Sequence, residues 1–204
     1  GSSATVRGWI HVFPPMTIPH AYLAEHAAVI KQRVGVPVLV AGRINQPQMA
    51  EQILAAEQAD MVGAARAMIC DPAFVGKTLA GRSEDVRACI GCNQACVGHR
   101  TSHFPVSCIQ HPESGRELQY GMPARAASPR NVAVVGGGPA GMKTAAVAAE
   151  RGHAVTLYES SNRLGGQALL AQMLPGRAEF GGIITNLTRE IERAGVNVIK
   201  STLF

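Results

Sequence analysis

Four of the five cysteines lie within twenty residues of one another, which indicates thiolate chemistry rather than packing. The run reads Cys89-Ile-Gly-Cys92-Asn-Gln-Ala-Cys96, and Cys108 follows after eleven further residues. Thiolates in such a pattern can form disulfides, hold zinc or hold an iron–sulfur cluster. Three close cysteines followed by a later one favour a four-iron cluster, because zinc sites usually take two ligand pairs separated by a dozen or more residues.

The residues alone leave the alternatives to a cluster open. His99, His103 and His111 lie near the cysteines and could complete a zinc site, although solvated loop positions are the preferred interpretation for all three. Disulfides are the weakest alternative, since no signal-peptide pattern indicates an oxidising compartment. The fifth cysteine, Cys70, stands apart in an apolar stretch and is expected to be a buried structural thiol.

A second motif is glycine-rich and lies at 136–141, where the chain reads Gly-Gly-Gly-Pro-Ala-Gly between a predicted strand and a predicted helix. In the dinucleotide fingerprint, Gly136 makes the tight turn, Gly138 lets a pyrophosphate approach the backbone, and Gly141 lets helix and strand pack closely. Glu159 ends the next predicted strand, 18 positions past Gly141. Its carboxylate would accept hydrogen bonds from ribose hydroxyls and repel a 2′-phosphate, which favours FAD or NAD over NADP.

Elements that could position these motifs alternate between strand and helix. Residues 36–41 and 60–66 are apolar runs typical of parallel strands covered on both faces, and helices are expected near 21–33, 46–58 and 71–81. Asn45 is expected to cap the second of these helices.

Both apolar strands end in a small residue followed by arginine, at Gly42-Arg43 and Ala65-Arg66. Ligands bind at the carboxyl ends of parallel strands, and the last strands of a barrel commonly carry a phosphate site. Small residues let backbone N–H groups approach a phosphate, and a guanidinium can clamp it. These four residues are therefore candidate phosphate ligands.

Composition argues against several other functions. The chain of 204 residues is 47% hydrophobic and 16% charged, as expected of a globular protein, and no apolar run reaches membrane-spanning length. The net charge of +5 is scattered and aromatic residues make up only 4%, so nucleic-acid binding is not expected. Reduced thiolates favour a cytoplasmic location.

Taken together, the cysteine spacing, the two arginine-ended strands and the glycine fingerprint resemble one family. They are similar to the bacterial 2,4-dienoyl-CoA reductases, a group that includes trimethylamine and histamine dehydrogenases and related N-demethylases. Its members are NADH:flavin oxidoreductases of old yellow enzyme type, with an FMN-binding TIM barrel, a 4Fe-4S cluster, and then FAD- and NAD(P)-binding domains. The resemblance covers about residues 5–204.

This resemblance implies an α/β organisation in four parts. Residues 4–86 would be the C-terminal strands of the TIM barrel, 87–111 the iron–sulfur segment, 112–130 a linker, and 131–204 the start of a Rossmann-like FAD-binding domain. The chain would be the middle of a longer polypeptide and inactive alone. Its partners would be the remainder of that polypeptide and a small-molecule substrate, and a homo-oligomer is a further expectation.

By position, the resemblance also implies site residues. The FMN phosphate would be held by Gly42, Arg43, Ala65 and Arg66, and the cluster by Cys89, Cys92, Cys96 and Cys108. FAD would be contacted by Gly136, Gly138, Ala140, Gly141, Glu159, Gln167 and Arg177.

The implied reaction passes electrons between FMN and FAD or NAD(P)H through the cluster. The substrate would be of enoyl-CoA type or an N-methylated amine, and the catalytic acid and base would lie outside this chain. The alternative is a zinc-stapled nucleotide-binding module without catalysis of its own.

Overall fold

The computed structural model describes residues 5–203, and the chain divides after Gly115 into two compact units. Residues 4 and 204, where the predicted barrel segment begins and the predicted FAD domain ends, lie outside the described residues. The α-helices and strands of unit 1 are α1 Val6–Trp9, α2 Ala24–Lys31, β1 Leu39–Ala41, α3 Pro47–Ala55, β2 Met61–Gly63, α4 Ala65–Cys70, α5 Phe74–Leu79 and α6 His99–Thr101.

Unit 1 is organised around β1 and β2, which pair in parallel with Leu39 opposite Met61. One face of this pair is buried, because Val40 packs with Ile53 of α3 and with the alanines of α2. On the other face Leu39 is 57% exposed and Met61 48% exposed. The prediction that these strands are covered on both faces is therefore correct for one face of the pair only, within the residues that the structure describes.

Two local predictions at the strand ends are wrong. The strand predicted over 60–66 stops at Gly63, and Arg66 lies in the first turn of α4. Asn45 does not cap α3: Gln46 occupies the N-cap position, and Pro47, whose φ is already helical, begins the helix. The Asn45 amide instead donates to the carbonyl of Cys89 at 2.6 Å.

Unit 2 has the βαβ order predicted for a dinucleotide-binding fold. Its elements are α7 Glu117–Tyr120, β3 Asn131–Val135, α8 Pro139–Glu150, β4 Ala154–Tyr158, α9 Ala168–Ala171, α10 Gly181–Arg193 and β5 Asn197–Ile199. The strands pair in parallel in the order β3-β4-β5, with Val135 opposite Tyr158. Helix α8 packs against β3, β4 and α10, and the core includes Met142 and Leu157, which are fully buried.

Helix α10 is amphipathic and covers this core. Ile183, Leu187 and Ile191 recur every four residues and are buried, which is the spacing of one helix face. Glu190 on the same helix is 6% exposed and pairs with Lys143 of α8, with 3.2 Å between Oε2 and Nζ. This ion pair and the apolar face together join the two helices.

Over residues 5–203, none of the helices has both the length and the apolar character needed to cross a bilayer.

Candidate functional site

A cavity of about 460 Å³ opens at the carboxyl ends of β1 and β2, and Gly42, Arg43, Ala65 and Arg66 all line it. This volume lies in the range of small-molecule and cofactor sites. Two guanidinium groups line the cavity, and none of its described lining residues is Asp or Glu. A site with this charge suits an anion such as a phosphate group.

Arg43 is held at both ends by His20. The carbonyl oxygen of Arg43 lies 3.1 Å from His20 Nδ1, and its Nη2 lies 3.1 Å from His20 Nε2. Because a guanidinium can only donate, Nε2 must be the acceptor, and Nδ1 then carries the proton that reaches the carbonyl. His20 therefore orients the arginine, whose backbone has the unusual φ of 54°. Sequence reasoning missed His20, because no motif joins two residues 23 positions apart.

Arg66 is held by the cysteine loop. Its Nη1 donates to Asn93 Oδ1 at 2.6 Å, and Asn93 Nδ2 donates in turn to the carbonyl of Phe13 at 2.7 Å. Asn93 has a φ of 56°, a left-handed conformation that asparagine tolerates better than most residues. The residue directly after Cys92 thus connects the cysteine motif to the cavity.

Two buried polar atoms in the cavity lining favour a bound ligand. Over residues 5–203, His11 Nδ1 and Asn45 Oδ1 have no hydrogen-bond partner. Buried polar atoms are nearly always paired in folded proteins, so each such exception calls for an explanation. A polar ligand in this cavity would supply the missing partners.

The four clustered cysteines come together around a second, narrower cavity. Cys89, Cys92, Cys96 and Cys108 all line it, and Cys89 also lines the larger cavity beside the arginines. All four are free thiols. The sequence spacing therefore does bring these side chains to one place, next to the candidate phosphate site.

Backbone N–H groups donate to three of the sulfurs. Gly91 donates to Cys89, Gln94 donates to Cys92, and the amides after Cys108 donate to Cys108. Burial nevertheless raises the pKa of Cys89 and raises the pKa of Cys92 to about 11. Metal ligation requires thiolates, which burial disfavours. The positive charge of a bound metal centre would stabilise these thiolates and so offset the effect of burial.

Four cysteine sulfurs are the ligand set that four-iron clusters take. Within the described part of the chain, no three His, Cys, Asp or Glu side chains are placed to share one metal ion. Tetrahedral zinc needs its sulfurs about 2.3 Å from one atom, whereas in a four-iron cluster each thiolate binds a different iron. The cavity holds only about 20 Å³, so its walls must separate to admit a cluster. The four cysteine sulfurs therefore fit a cluster as ligands, whereas the volume of the cavity does not.

Cys70 does not stand apart in space, contrary to expectation. It is fully buried at the end of α4, as predicted, but its thiol is hydrogen-bonded to Cys108. This bond is the main reason why the pKa of Cys108 is lowered to about 6. Gln110 Nε2 also donates to Cys70 Sγ at 3.4 Å.

Asp71 anchors the chain that enters the cysteine loop. Its buried carboxylate accepts from Lys77 Nζ at 2.6 Å, from the Arg87 amide at 2.8 Å and from the Ala73 amide at 3.1 Å. Burial acts to raise the pKa of Asp71, but the Lys77 ammonium and the Arg87 amide outweigh it and hold the pKa below its ordinary value. Arg87 lies two residues before Cys89, so this carboxylate fixes where the loop begins.

Replacing Asp71 with asparagine should destabilise unit 1 by about 3–5 kcal/mol at pH 7, because Lys77 is left buried without its counter-charge. The depressed pKa makes this contribution full above about pH 4, the ordinary carboxyl range, and lost as the pH falls through the folded-state pKa. Urea unfolding followed by the fluorescence of Trp9 should therefore show a gap between the two proteins that closes in acid.

Asp60→Asn is the matched control for this variant. Asp60 also accepts from a lysine and a backbone amide, at 2.9 Å from Lys31 and 2.7 Å from Val38, but its side chain is 37% exposed. Exposed ion pairs contribute little, so this variant should unfold close to the wild type. Equal losses in the two variants, or a gap that persists in acid, would contradict the role assigned to Asp71.

In unit 2 the predicted glycines form a tight strand–turn–helix junction. Gly136 has a φ of 103°. A Cβ added to Gly141 would lie 1.9 Å from the carbonyl oxygen of Gly136. Gly138 is the N-cap of α8. The Gly165 amide donates to the carbonyl of Gly137 at 2.8 Å, so the second glycine pair folds back onto the first.

Glu159 lies at the end of β4 and is tied to the same turn. Its carboxylate accepts from the Gly137 amide at 2.6 Å and from the Ser161 amide at 2.8 Å. The two backbone amides lower the pKa of Glu159, so it is ionised at neutral pH. Ser160 Oγ also donates to this carboxylate at 3.3 Å, and a carboxylate has about four lone-pair sites, which leaves acceptor capacity for the predicted ribose contact.

The other predicted dinucleotide ligands lie around this turn to different degrees. Ala140 is in the first turn of α8, and Gln167 is exposed directly after Gly166, whose added Cβ would lie 3.1 Å from Gly138 Cα. Arg177 is exposed before the 3₁₀ turn Ala178–Phe180. The roles of these three residues stay predictions.

A basic cavity at the ends of parallel strands, four cysteines beside it and a βαβ unit with a glycine turn are features expected of redox enzymes with nucleotide cofactors. Comparison with known families agrees. Residues 14–85 match the NADH:flavin oxidoreductase / NADH oxidase family, and residues 134–188 match the NAD(P)-binding Rossmann-like domain.

Individual proteins extend the match across most of the chain. A metal reductase of Desulforamulus reducens is 40% identical over 94% of this chain and 29% of its own length. An NADH oxidase of Thermoanaerobacter brockii is 43% identical over 87% of this chain and 27% of its own length.

Solved structures agree as well. A 2-naphthoyl-CoA reductase is 30% identical, with a TM-score of 0.86, over 93% of this chain and 29% of its own. Histamine dehydrogenase from Rhizobium sp. 4-9 is 28% identical, with a TM-score of 0.86, over 93% of this chain and 28% of its own.

The chain belongs to the NADH:flavin oxidoreductase family of old yellow enzyme type, which confirms the resemblance noted from the sequence. It spans less than a third of the length of the curated relatives it matches.

Proposed function

We propose that this chain is the electron-transfer segment of a flavin and iron–sulfur oxidoreductase. Gly42, Arg43, Ala65 and Arg66 would hold the FMN phosphate, and the four clustered cysteines would hold a 4Fe-4S cluster. A cluster of this type relays single electrons, here between FMN and a dinucleotide bound at the glycine turn of unit 2. The observation that carries this proposal is the position of Cys89, which lines both the arginine cavity and the cysteine cavity.

The chain's own residues would bind and orient these groups. Arg43 and Arg66 fix the phosphate end of the flavin, with His20 and Asn93 holding the two guanidiniums in place. Backbone amides beside Cys89, Cys92 and Cys108 stabilise thiolate charge. The carboxylate of Glu159 favours FAD or NAD(H) over a cofactor with a 2′-phosphate.

The substrate of the whole enzyme would be an enoyl thioester or a related unsaturated acid, or else an N-methylated amine. Relatives on both sides support this range, since one is named for reduction of cinnamate and another for dehydrogenation of dimethylamine. The proposal also includes a catalytic acid and base outside this chain, a cytoplasmic location and a homo-oligomer. This chain alone should not turn over substrate.

The test is metal analysis of anaerobically purified protein, with iron, zinc and acid-labile sulfide measured together. The proposal predicts about four iron and four sulfide per chain and a visible absorption that dithionite bleaches. Cys92→Ser should lose most of the iron. Stoichiometric zinc in a colourless protein would instead support the alternative, a zinc-stapled nucleotide-binding module.

A further inference from the structure

Tyr22 lines the arginine cavity, although neither the strand-end pattern nor the cysteine pattern points to it. One edge of its ring faces Gly42, because a Cβ added to Gly42 would lie 3.1 Å from Tyr22 Cε1. The ring also packs against His11, with 5.5 Å between the two ring centroids. These two neighbours fix the tyrosine ring on the cavity wall, beside a candidate phosphate ligand.

The hydroxyl of Tyr22 makes a long hydrogen bond. It donates to the carbonyl of His11 at 3.4 Å, whereas O–H···O bonds are usually about 2.7–2.8 Å long. A bond of this length is weak, so little is lost when the hydrogen turns toward a stronger acceptor. A phosphate oxygen is such an acceptor, because hydrogen bonds to ionised groups are shorter and roughly twice as strong as neutral ones.

The charge around Tyr22 also suits an anionic acceptor. Burial raises the pKa of Tyr22, and the positive charge of Arg66 acts to lower it, so this guanidinium is close enough to influence the phenol. The hydroxyl stays protonated at neutral pH and can donate a hydrogen bond. Among the described residues that line the cavity, none carries a carboxylate that would compete for this hydrogen.

We propose that the Tyr22 hydroxyl donates a hydrogen bond to the phosphate of the bound flavin and so makes this cavity select FMN over riboflavin. This inference rests on the proposed function, in which Arg43 and Arg66 hold the same phosphate. Tyr22 is a further binding residue in this role. Its ring is already held in place by Gly42 and His11, so the hydroxyl adds a directed contact with little ordering of the side chain.

The test compares FMN with riboflavin, which lacks the phosphate, on the wild-type chain and on Tyr22→Phe. This variant keeps the ring beside Gly42 and removes the hydroxyl. Its dissociation constant for FMN should rise about tenfold, the usual loss for a hydrogen bond to a charged group, while that for riboflavin should not change. Quenching of flavin fluorescence measures both. Inorganic phosphate, titrated as a competitor of FMN, is a second probe and should show the same tenfold loss.

Tyr120→Phe is the matched control, because it removes the hydroxyl of an exposed tyrosine in unit 2. It should bind all three probes as the wild type does. Equal losses of FMN and riboflavin in Tyr22→Phe would overturn the inference, since the hydroxyl would then serve the fold or another part of the flavin. Unchanged binding of FMN would overturn it too.

Where riboflavin binds too weakly to measure, the phosphate titration alone decides between these outcomes. A wild-type chain that binds neither FMN nor inorganic phosphate would be a different result, since it removes the phosphate site of the proposed function itself.

Discussion

Replacing Gly91 with alanine is expected to weaken FMN binding, and to lower the iron content as well where the cysteine loop moves. Gly91 has a φ of 62°, and an added Cβ would lie 2.0 Å from Arg43 Nη1 and 3.1 Å from the Met16 amide. The left-handed backbone alone costs alanine about 1–2 kcal/mol. Relieving the clash must move either the guanidinium from the cavity or the loop that carries Cys89 and Cys92. Displacing a charged hydrogen-bonding group adds about 1.5–3 kcal/mol, so FMN affinity should fall at least about tenfold.

FMN binding followed by quenching of flavin fluorescence, with iron per chain measured on the same samples, checks this prediction. Gly81→Ala separates backbone strain from the clash: Gly81 has a φ of 71°, but among the described residues an added Cβ would meet no atom within 4 Å. That control should be modestly less stable and keep both cofactors. Retention of FMN and iron by the Gly91 variant would show that the arginine site and the cysteine loop are not mechanically joined.

The side chains that the sequence pattern groups and the structure brings together are those linked by local spacing. Cys89, Cys92 and Cys96 come together because the loop between them is short, and the glycine turn at 136–141 forms where a strand passes directly into a helix. In both cases the residues that meet are neighbours along the chain, so their types and intervals suffice. Cys108 follows Cys96 only after eleven further residues. It nevertheless lines the same cavity as the other three cysteines.

The contacts that support the site could not be predicted, because they join residues that lie far apart in the sequence and belong to no shared motif. Asn93 reaches Phe13 across 80 positions, and Gln110 reaches Cys70 across 40. Such contacts depend on how the βα units stack. The strand end at Arg66 was misplaced for a related reason: the apolar run continues through 60–66, but the backbone turns into α4 after Gly63, and apolarity alone does not mark that turn.

Replacing Gly141 with alanine should disrupt the packing of unit 2 far more than replacing Gly138 with alanine. A Cβ added to Gly141 would lie 1.9 Å from the carbonyl oxygen of Gly136 and 3.1 Å from the carbonyl carbon, and neither backbone atom can rotate away. Helix α8 would have to move off β3, although alanine is otherwise the better helix former. We expect loss of amide protection across β3 and β4 in hydrogen exchange, and loss of ADP binding in calorimetry.

Gly138→Ala tells the packing role of the fingerprint from its ligand role. Within the described residues an added Cβ at Gly138 would meet nothing within 4 Å, and the φ of −75° suits any residue. The fold should therefore be kept and even gain about 0.4–1 kcal/mol, because alanine restricts the unfolded chain. If the pyrophosphate approaches this backbone as proposed, the added methyl group must still weaken ADP binding. A Gly138 variant that binds ADP as tightly as the wild type would place the dinucleotide elsewhere, and one that unfolds like the Gly141 variant would make the motif a packing device alone.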